Sequence, residues 1–181
     1  MTAGRNVKSG SRDWNTPQKY VSAVTAALGG AIGLDPCSND TSIVVSDRSY
    51  SLSQGTDGLV LPWDASTIFV NPPYGKDPVE NVTLGRHTTI ADWLRLCAKA
   101  GAANSEVIAL VPVATNTRHW KDSVWSRASA IAFLQDTRLK FLVNGTTDNK
   151  GAPMACAAIY WGSNVTRFAT TFNDHGAVIK I

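Results

Sequence analysis

One segment limits the possible folds of this chain more than any other. The apolar residues 67–70, Thr-Ile-Phe-Val, run directly into Asn71-Pro72-Pro73-Tyr74-Gly75. The β-branched and aromatic run is typical of a buried strand, and two prolines in succession end its ladder because they have no amide proton to donate. The sequence therefore predicts a buried strand whose carboxyl end carries a rigid loop with one amide and one aromatic side chain.

Helices and strands are predicted on both sides of this strand. Upstream, Thr16-Pro17 predicts the start of a helix over residues 17–28, with Thr16 as its cap, and Gly29-Gly30 predicts its end. Short strands follow at residues 31–34 and near residues 42–45. Downstream, helical spacing of apolar residues predicts a helix over residues 89–100, and residues 107–111 form the next strand of a βαβ unit.

The rest of the chain continues the alternation. A helix is predicted near residues 117–125, then strands near 131–134, 139–143 and 155–161, a short helix, and a closing strand at 177–181. This pattern predicts an α/β fold with a mostly parallel central sheet, helices on both faces and an antiparallel C-terminal strand. Ligands of such sheets bind beyond the carboxyl ends of the strands, where Asp35 and Asn71 are expected.

Composition limits the class of protein. With 181 residues, 44% of them hydrophobic and 17% charged, the chain is typical of a globular protein, and we expect one domain over residues 14–181 after a flexible basic arm at residues 1–13. No apolar run approaches the roughly 18 residues of a spanning helix, so the predicted location is the cytoplasm. The net charge of +3 is compatible with DNA. The three cysteines lack metal-ligand spacing, and no metal is expected.

The residues of the Asn71 loop suit chemistry on an exocyclic amine. Such an amine is conjugated to its ring and is a poor nucleophile, and acceptors placed on its hydrogens pull the lone pair out of conjugation. The Asn71 side-chain oxygen and the Pro72 carbonyl are the candidate acceptors, Pro73 makes the loop rigid, and Tyr74 can stack on a base flipped out of a duplex. The alternative is a rigid turn that only ends the strand.

Several short segments, in order, resemble the phage and prophage Dam-type DNA N6-adenine methyltransferases. The likeness covers about residues 13–162. The matching segments are Trp14-Asn15-Thr16-Pro17, Leu34-Asp35-Pro36-Cys37-Ser38, Asp57-Gly58-Leu59, Pro62-Trp63, Val70 to Gly75, Arg138-Leu139-Lys140-Phe141 and Ala152-Pro153. The resemblance implies a Rossmann-like methyltransferase fold, S-adenosylmethionine as cofactor, double-stranded DNA as substrate, a monomer or homodimer, and a setting in phage or restriction-modification biology.

The resemblance also implies a cofactor site. Trp14, Thr16 and Pro17 are expected at the methionine end, where a helix start can receive a carboxylate. Asp35 is expected to accept from the cofactor ammonium, in a loop shaped by Pro36, Cys37 and Ser38. Asp57 is expected to accept from the cofactor adenine amine, with Gly58 and Leu59 beside the ring. Asp47 is the candidate for the ribose, although it lies only 12 positions after Asp35, fewer than a usual crossover needs.

A third group of residues is predicted to contact DNA. Phe141 is a candidate second stacking partner of the flipped base, and core packing is its alternative. The basic and aromatic candidates near the same sheet edge are Lys76, Arg118, His119, Trp120, Arg138 and Lys140. The motif leaves other functions open, namely methylation of cytosine N4, a protein-glutamine methyltransferase, and a catalytically idle module that binds DNA or a partner.

Overall fold

The computed structural model of the chain describes residues 15–136, 139–143, 146–147 and 154–181. The predicted arm, Trp14 and Arg138 lie outside the described residues, and the domain boundary at residue 14 stays a prediction. The elements in chain order are α1 (Gln18–Ala27), β1 (Leu34–Asp35), β2 (Arg48–Ser49), β3 (Thr67–Val70), α2 (Ile90–Ala102), β4 (Glu106–Pro112), α3 (Arg118–Trp120), β5 (Ala130–Leu134), β6 (Leu142–Val143), β7 (Thr146–Thr147), β8 (Cys156–Trp161), α4 (Val165–Phe172) and β9 (Gly176–Lys180). Two short turns accompany them, a 3-10 turn at Leu52–Gln54 and a π-helical turn at Lys121–Trp125.

Seven strands form one sheet in the order β2-β1-β3-β4-β8-β5-β9. The pairs among β2, β1, β3 and β4 are parallel, whereas β8 is antiparallel to both β4 and β5, and β9 is antiparallel to β5. The predicted α/β fold with a parallel core is confirmed. The sequence predicted one antiparallel strand at the C-terminus, but β8 and β9 are both antiparallel to their neighbours. The second one arises because β8 lies between β4 and β5, which run in the same direction.

Helices cover both faces of the sheet, as predicted. On one face, Trp93 and Leu94 of α2 pack with Trp120 of α3 and with Val124 of the π-helical turn that follows α3. On the other face, α1 and α4 bring in Tyr20, Val24, Phe168 and Phe172. Strand β3 is buried from Ile68 to Val70 and β4 from Val107 to Val111, as expected of parallel strands covered on both sides.

The ends of the helices follow local rules with one exception. Helix α2 begins with a capping box, in which the Thr89 hydroxyl accepts from a backbone amide and the Asp92 carboxylate accepts from the Thr89 amide. Helix α1 ends before Gly29 and Gly30, whose positive φ angles of 89° and 106° suit glycine. The predicted cap of α1 is wrong: Pro17 occupies the cap position, and no described side chain caps this helix.

Two predicted strands change position. Residues 42–46 are irregular, so the strand expected near residues 42–45 is wrong, and β2 lies a few residues later, beside β1. The Ser42 hydroxyl accepts from the Val44 amide at 3.2 Å, a local bond that competes with strand pairing. Of the strand expected at residues 139–143, only Leu142–Val143 pairs as a strand, with β7. None of the described helices is long and apolar enough to span a membrane.

Candidate active site

A pocket of about 610 Å³ opens at the carboxyl ends of β1 and β3. From β1 the chain continues to β2 on one side of the sheet, and from β3 it continues to β4 on the other side. The neighbouring strands β1 and β3 therefore border the topological switch point of the sheet. Leu34 lies opposite Ile68 in the ladder, and Asp35 and Asn71 therefore leave the sheet on neighbouring strands, about 5 Å apart in the pairing direction. The volume is in the usual range of small-molecule sites.

Most of the predicted site residues line this pocket. They are Thr16, Asp35, Pro36, Cys37, Ser38, Asp57, Gly58, Leu59, Asn71, Pro72, Pro73, Tyr74 and Lys76. The predicted strand-end placement of the Asn71 loop is confirmed. Pro17 does not line the pocket but begins the helix beside it.

The loop of Asn71 to Tyr74 is held by its own aromatic residue. The Tyr74 hydroxyl donates to the Asn71 side-chain oxygen at 3.2 Å and approaches the Leu110 carbonyl at 3.3 Å. Burial raises the pKa of the Tyr74 hydroxyl well above its ordinary value, so it stays a hydrogen-bond donor. The Tyr74 ring meets Phe141 edge to face, with 5.8 Å between the ring centroids. These contacts orient both the Asn71 amide and the Tyr74 ring at the pocket wall.

Asp35 is a buried carboxyl group, only 4% exposed. Its Oδ1 accepts from the Cys37 amide at 3.0 Å. Burial raises the pKa of Asp35 to about 6, although the Cys37 amide and the Ser38 side chain act in the opposite direction. Among the described residues no basic side chain forms an ion pair with it. A cationic group of a ligand would therefore be favoured at this point of the pocket.

The start of helix α1 is the second charged feature of the pocket. Thr16, 2% exposed, lines the pocket directly before the helix. The first turn of α1 contains no acidic residue, and its amides receive no side-chain cap within the described part of the chain. Uncapped amides together with the helix dipole favour an anion. Thr16, directly before the uncapped start of α1, and the Asp35 carboxyl group thus line the same pocket.

The segment Asp57-Gly58-Leu59 packs tightly against the end of β1. The Asp57 Oδ1 accepts from the Leu59 amide at 2.8 Å, and its Oδ2 accepts from the Asn81 side-chain amide at 2.6 Å. A Cβ added to Gly58 would lie 1.8 Å from the Pro36 carbonyl oxygen. Only glycine fits there without a shift of the backbone.

This close approach makes Gly58→Ala a test of the pocket wall. We expect the free energy of unfolding to fall by about 1–3 kcal/mol, because the methyl group must push two backbone segments apart. We also expect the pocket to lose at least about tenfold in ligand affinity, since Asp57 and Pro36 would separate. Chemical denaturation and calorimetry measure the two effects. Gly75→Ala is the stability control, because nothing lies within 4 Å of a Cβ at Gly75.

Asp47 is not brought to the pocket. It is exposed and precedes β2, at the opposite end of the strand from the pocket. The acidic residue that does reach the end of β2 is Asp40, whose carboxylate accepts from the Ser53 hydroxyl at 2.5 Å. Ser51 is buried and follows β2, and its hydroxyl oxygen lies 2.7 Å from the hydroxyl oxygen of Ser53. Asp40, Ser51 and Ser53 all line the pocket.

Sequence reasoning missed a network of amide side chains that lines the pocket. The Asn15 side chain donates to the Thr41 carbonyl at 2.8 Å and to its hydroxyl at 2.7 Å, and Asn39 donates to Asn15 at 2.8 Å. Backbone bonds of 2.9 Å in both directions join Asn15 to Leu142. One indication of this network was present in the sequence, because Asn15 belongs to the Trp14 to Pro17 segment that resembles the family. The network ties three segments together beside Thr16.

The predicted DNA-contact residues divide into exposed and buried groups. Lys76 and Lys140 are exposed, as is Arg118, whose side chain is 94% exposed and lies near Asp122. His119 is partly exposed, and burial lowers its pKa. Trp120 and Phe141 are 0% and 2% exposed and pack in the core, which for Phe141 is the alternative given above, and their contacts with a base stay predictions. Of the two, Phe141 contacts the Tyr74 ring of the pocket wall.

The fold and the pocket define an α/β protein with an open pocket at a topological switch point, beside an Asn-Pro-Pro-Tyr loop. The sequence model of the DNA N-6-adenine-methyltransferase (Dam) family matches residues 4–175. The chain belongs to this family, which confirms the resemblance found in the sequence and indicates a transferase that methylates DNA adenine. Neither the curated proteins nor the solved structures contain a match to the chain. Among the described residues, no cluster of three or more histidine, cysteine or acidic residues could hold a metal ion.

Proposed function

We propose that this protein transfers a methyl group from S-adenosylmethionine to the N6 amine of adenine in double-stranded DNA, with the target base flipped out of the duplex. The observation that carries the proposal is the shared pocket of the buried Asp35 carboxyl group and the Asn71 to Tyr74 loop, at the ends of neighbouring strands. A buried carboxylate suits a cationic cofactor, and an acceptor-rich loop suits an amine.

The pocket residues fit the parts of the cofactor. The amino-acid end carries an ammonium and a carboxylate, which match Asp35 and the uncapped start of α1 next to Thr16. Asp57, which lines the pocket, takes the role of acceptor from the adenine amine, with Leu59 against the ring. Asp40, supported by Ser51 and Ser53, takes the ribose role that the sequence gave to Asp47. These assignments use side chains that line one pocket, except for the α1 amides beside it.

The ribose assignment predicts different effects for two aspartates. Asp40→Ala should weaken cofactor binding about 10- to 100-fold, because a carboxylate hydrogen bond to a hydroxyl contributes about 1.5–3 kcal/mol. Asp47→Ala is the matched control and should leave the dissociation constant within about twofold. Isothermal titration calorimetry with S-adenosylhomocysteine checks both. Equal losses in the two variants would contradict the assignment.

In the transfer step the protein acts on the amine and on the base. The bound cofactor supplies an electrophilic methyl group on a sulfonium. The Asn71 side-chain oxygen and the Pro72 carbonyl accept hydrogen bonds from the two amine hydrogens, which raises the nucleophilicity of the nitrogen. The new N–C bond would form as the S–C bond of the sulfonium breaks, and one proton would leave the methylated nitrogen for solvent. Tyr74 contacts the face of the flipped base, and its position is maintained by its hydroxyl bond to Asn71 and by Phe141. The gain comes from orientation and preorganised polarity.

The DNA side of the proposal depends on exposed basic residues. Lys76 follows the Asn71 loop directly, and Arg118 follows β4 at the same edge of the sheet. Lys140 is exposed while its neighbours Leu139 and Phe141 are buried, so it points away from the core. Contacts of these side chains with phosphates would position the duplex without reading its sequence.

The decisive experiment identifies the product. The purified protein is incubated with unmethylated duplex DNA and isotopically labelled S-adenosylmethionine, and the digested nucleosides are analysed by mass spectrometry. Labelled N6-methyladenine is the expected result. Labelled N4-methylcytosine would move the acceptor to the other amine, and absence of label with normal cofactor binding would support an idle module.

A further inference from the structure

The side chain of Asn81 lies beside Asp57 on the pocket wall. It belongs to the loop between the catalytic segment and α2, and both Asn81 and Asp57 line the pocket. The Asn81 Nδ2 donates to Asp57 Oδ2 at 2.6 Å, while Leu59 occupies Asp57 Oδ1 from the other side. An amide nitrogen has two hydrogens, and the bond to Asp57 uses one of them. The pocket wall thus presents a carboxylate acceptor and an amide donor side by side.

Such a pair is complementary to one edge of adenine. Along its Watson–Crick edge adenine offers the N6 amine donor next to the N1 acceptor, and an acceptor beside a donor matches this edge, much as an Asn or Gln side chain matches N6 and N7. Here the two atoms come from different residues, the oxygen from Asp57 and the nitrogen from Asn81. We propose that Asn81 is a specificity-determining residue of this site, which together with Asp57 distinguishes a 6-amino purine from a 6-oxo purine in the cofactor. The inference rests on the proposed function.

The loop around Asn81 is built to keep its amide in place. The Asn81 backbone amide donates to the Arg86 carbonyl at 3.0 Å, and the Asn81 side-chain oxygen accepts from the Leu84 amide at 2.9 Å. The half-exposed Arg86 side chain pairs with the buried carboxylate of Asp92 at the start of α2. The oxygen of the Asn81 side chain therefore serves the loop, and its nitrogen faces Asp57. The two roles can be separated by substitution.

Discrimination follows from the exchange of donors and acceptors. In a 6-oxo purine the amine becomes a carbonyl, which faces the Asp57 carboxylate, and N1 becomes a donor. Asp57 and Asn81 are half-buried, and polar groups that a bound ligand covers without pairing make a site reject that ligand strongly. A residue that only shapes the loop would change affinity for both purines by the same factor. A residue that recognises this edge of the purine changes the ratio of the two affinities.

The test compares two probes, S-adenosylhomocysteine and its deaminated analogue S-inosylhomocysteine, by calorimetry on the full chain. Asn81→Ser is the variant, because serine can still accept from the Leu84 amide but is too short to reach Asp57. We expect about tenfold or more loss for the adenosyl probe, a smaller loss for the inosyl probe, and a correspondingly reduced ratio. Glu80→Gln, an exposed neighbour outside the pocket, is the control and should change neither constant.

Each outcome has a separate meaning. An unchanged ratio in Asn81→Ser, with the wild-type protein binding S-adenosylhomocysteine normally, would overturn the role of Asn81 and leave the proposed function intact. Failure of the wild-type protein to bind S-adenosylhomocysteine at all would overturn the proposed function itself. Near-ultraviolet circular dichroism shows that the variant is folded, so that a loss of affinity reports on the site.

Discussion

Asn71→Ala should reduce the rate of methyl transfer by about 10³-fold while the cofactor dissociation constant changes by less than about threefold. The side-chain oxygen of Asn71 is the proposed acceptor from the amine, and loss of one preorganised polar group of this kind costs about 10²–10³-fold in rate. The cofactor is expected at Asp35, Asp40 and Asp57, on other segments of the pocket. Single-turnover transfer to DNA and calorimetry with S-adenosylhomocysteine measure the two quantities.

Asn71→Asp is the matched control for this variant. The carboxylate keeps an acceptor at the same position, for the amine as well as for the Tyr74 hydroxyl. We therefore expect Asn71→Asp to retain much more activity than Asn71→Ala. If the alanine variant methylates DNA at the wild-type rate, Asn71 has no part in activating the amine, and the loop is only a rigid end to β3.

Asp35→Asn should weaken cofactor binding by at least about 30-fold at pH 7.5. Removal of one partner from a buried, hydrogen-bonded charge pair costs about 2–5 kcal/mol. The pKa of Asp35 in the empty protein is about 6, so the wild-type affinity should fall about tenfold for each pH unit below 6 as the carboxylate takes up a proton. The asparagine variant should lack this dependence. Calorimetry between pH 5 and pH 7 compares the two profiles.

The same group has an opposite effect on the stability of the empty protein. Burial raises the pKa of Asp35 from 3.8 to about 6, so the folded state holds the proton more tightly than the unfolded chain. Stability is therefore lost as the pH rises from about 4 to about 6, by about 3 kcal/mol, and stays lower above that range. Asp35→Asn should be more stable than the wild-type protein at pH 8. Urea denaturation at pH 5 and pH 8 checks this, and equal stability of the two proteins at pH 8 would contradict it.

Local chemistry made parts of the site predictable. Two prolines after an apolar run could only follow the end of a strand, and Asn71 lies there. Thr89 and Asp92 form the cap of α2 at the start of the predicted helix. Gly58 was identified from the family resemblance. The structure explains why glycine is needed there, since a Cβ would collide with the Pro36 carbonyl oxygen.

Other parts depend on packing that no local pattern encodes. Trp120 and Phe141 were predicted to contact DNA because exposed and buried aromatic residues look alike in a sequence, yet both lie in the core. Asp47 was the predicted ribose contact, but it precedes β2 and does not line the pocket, whereas Asp40 does; this depends on where β2 pairs with β1. Asn81 gave no signal, because its partner Asp57 lies 24 positions away.

By itself the sequence determined the family, the alternation of strands and helices, and the rigid acceptor-bearing loop after β3, because prolines, capping residues and apolar periodicity act over a few residues. Only the tertiary structure decided which carboxylates share the pocket, which aromatic residues are buried, and which side chain stands beside Asp57. Those facts depend on strand order and on the paths of the loops, which bring together residues that are distant in the chain. The burial of a charge and the pairing of a donor with an acceptor depend on such contacts.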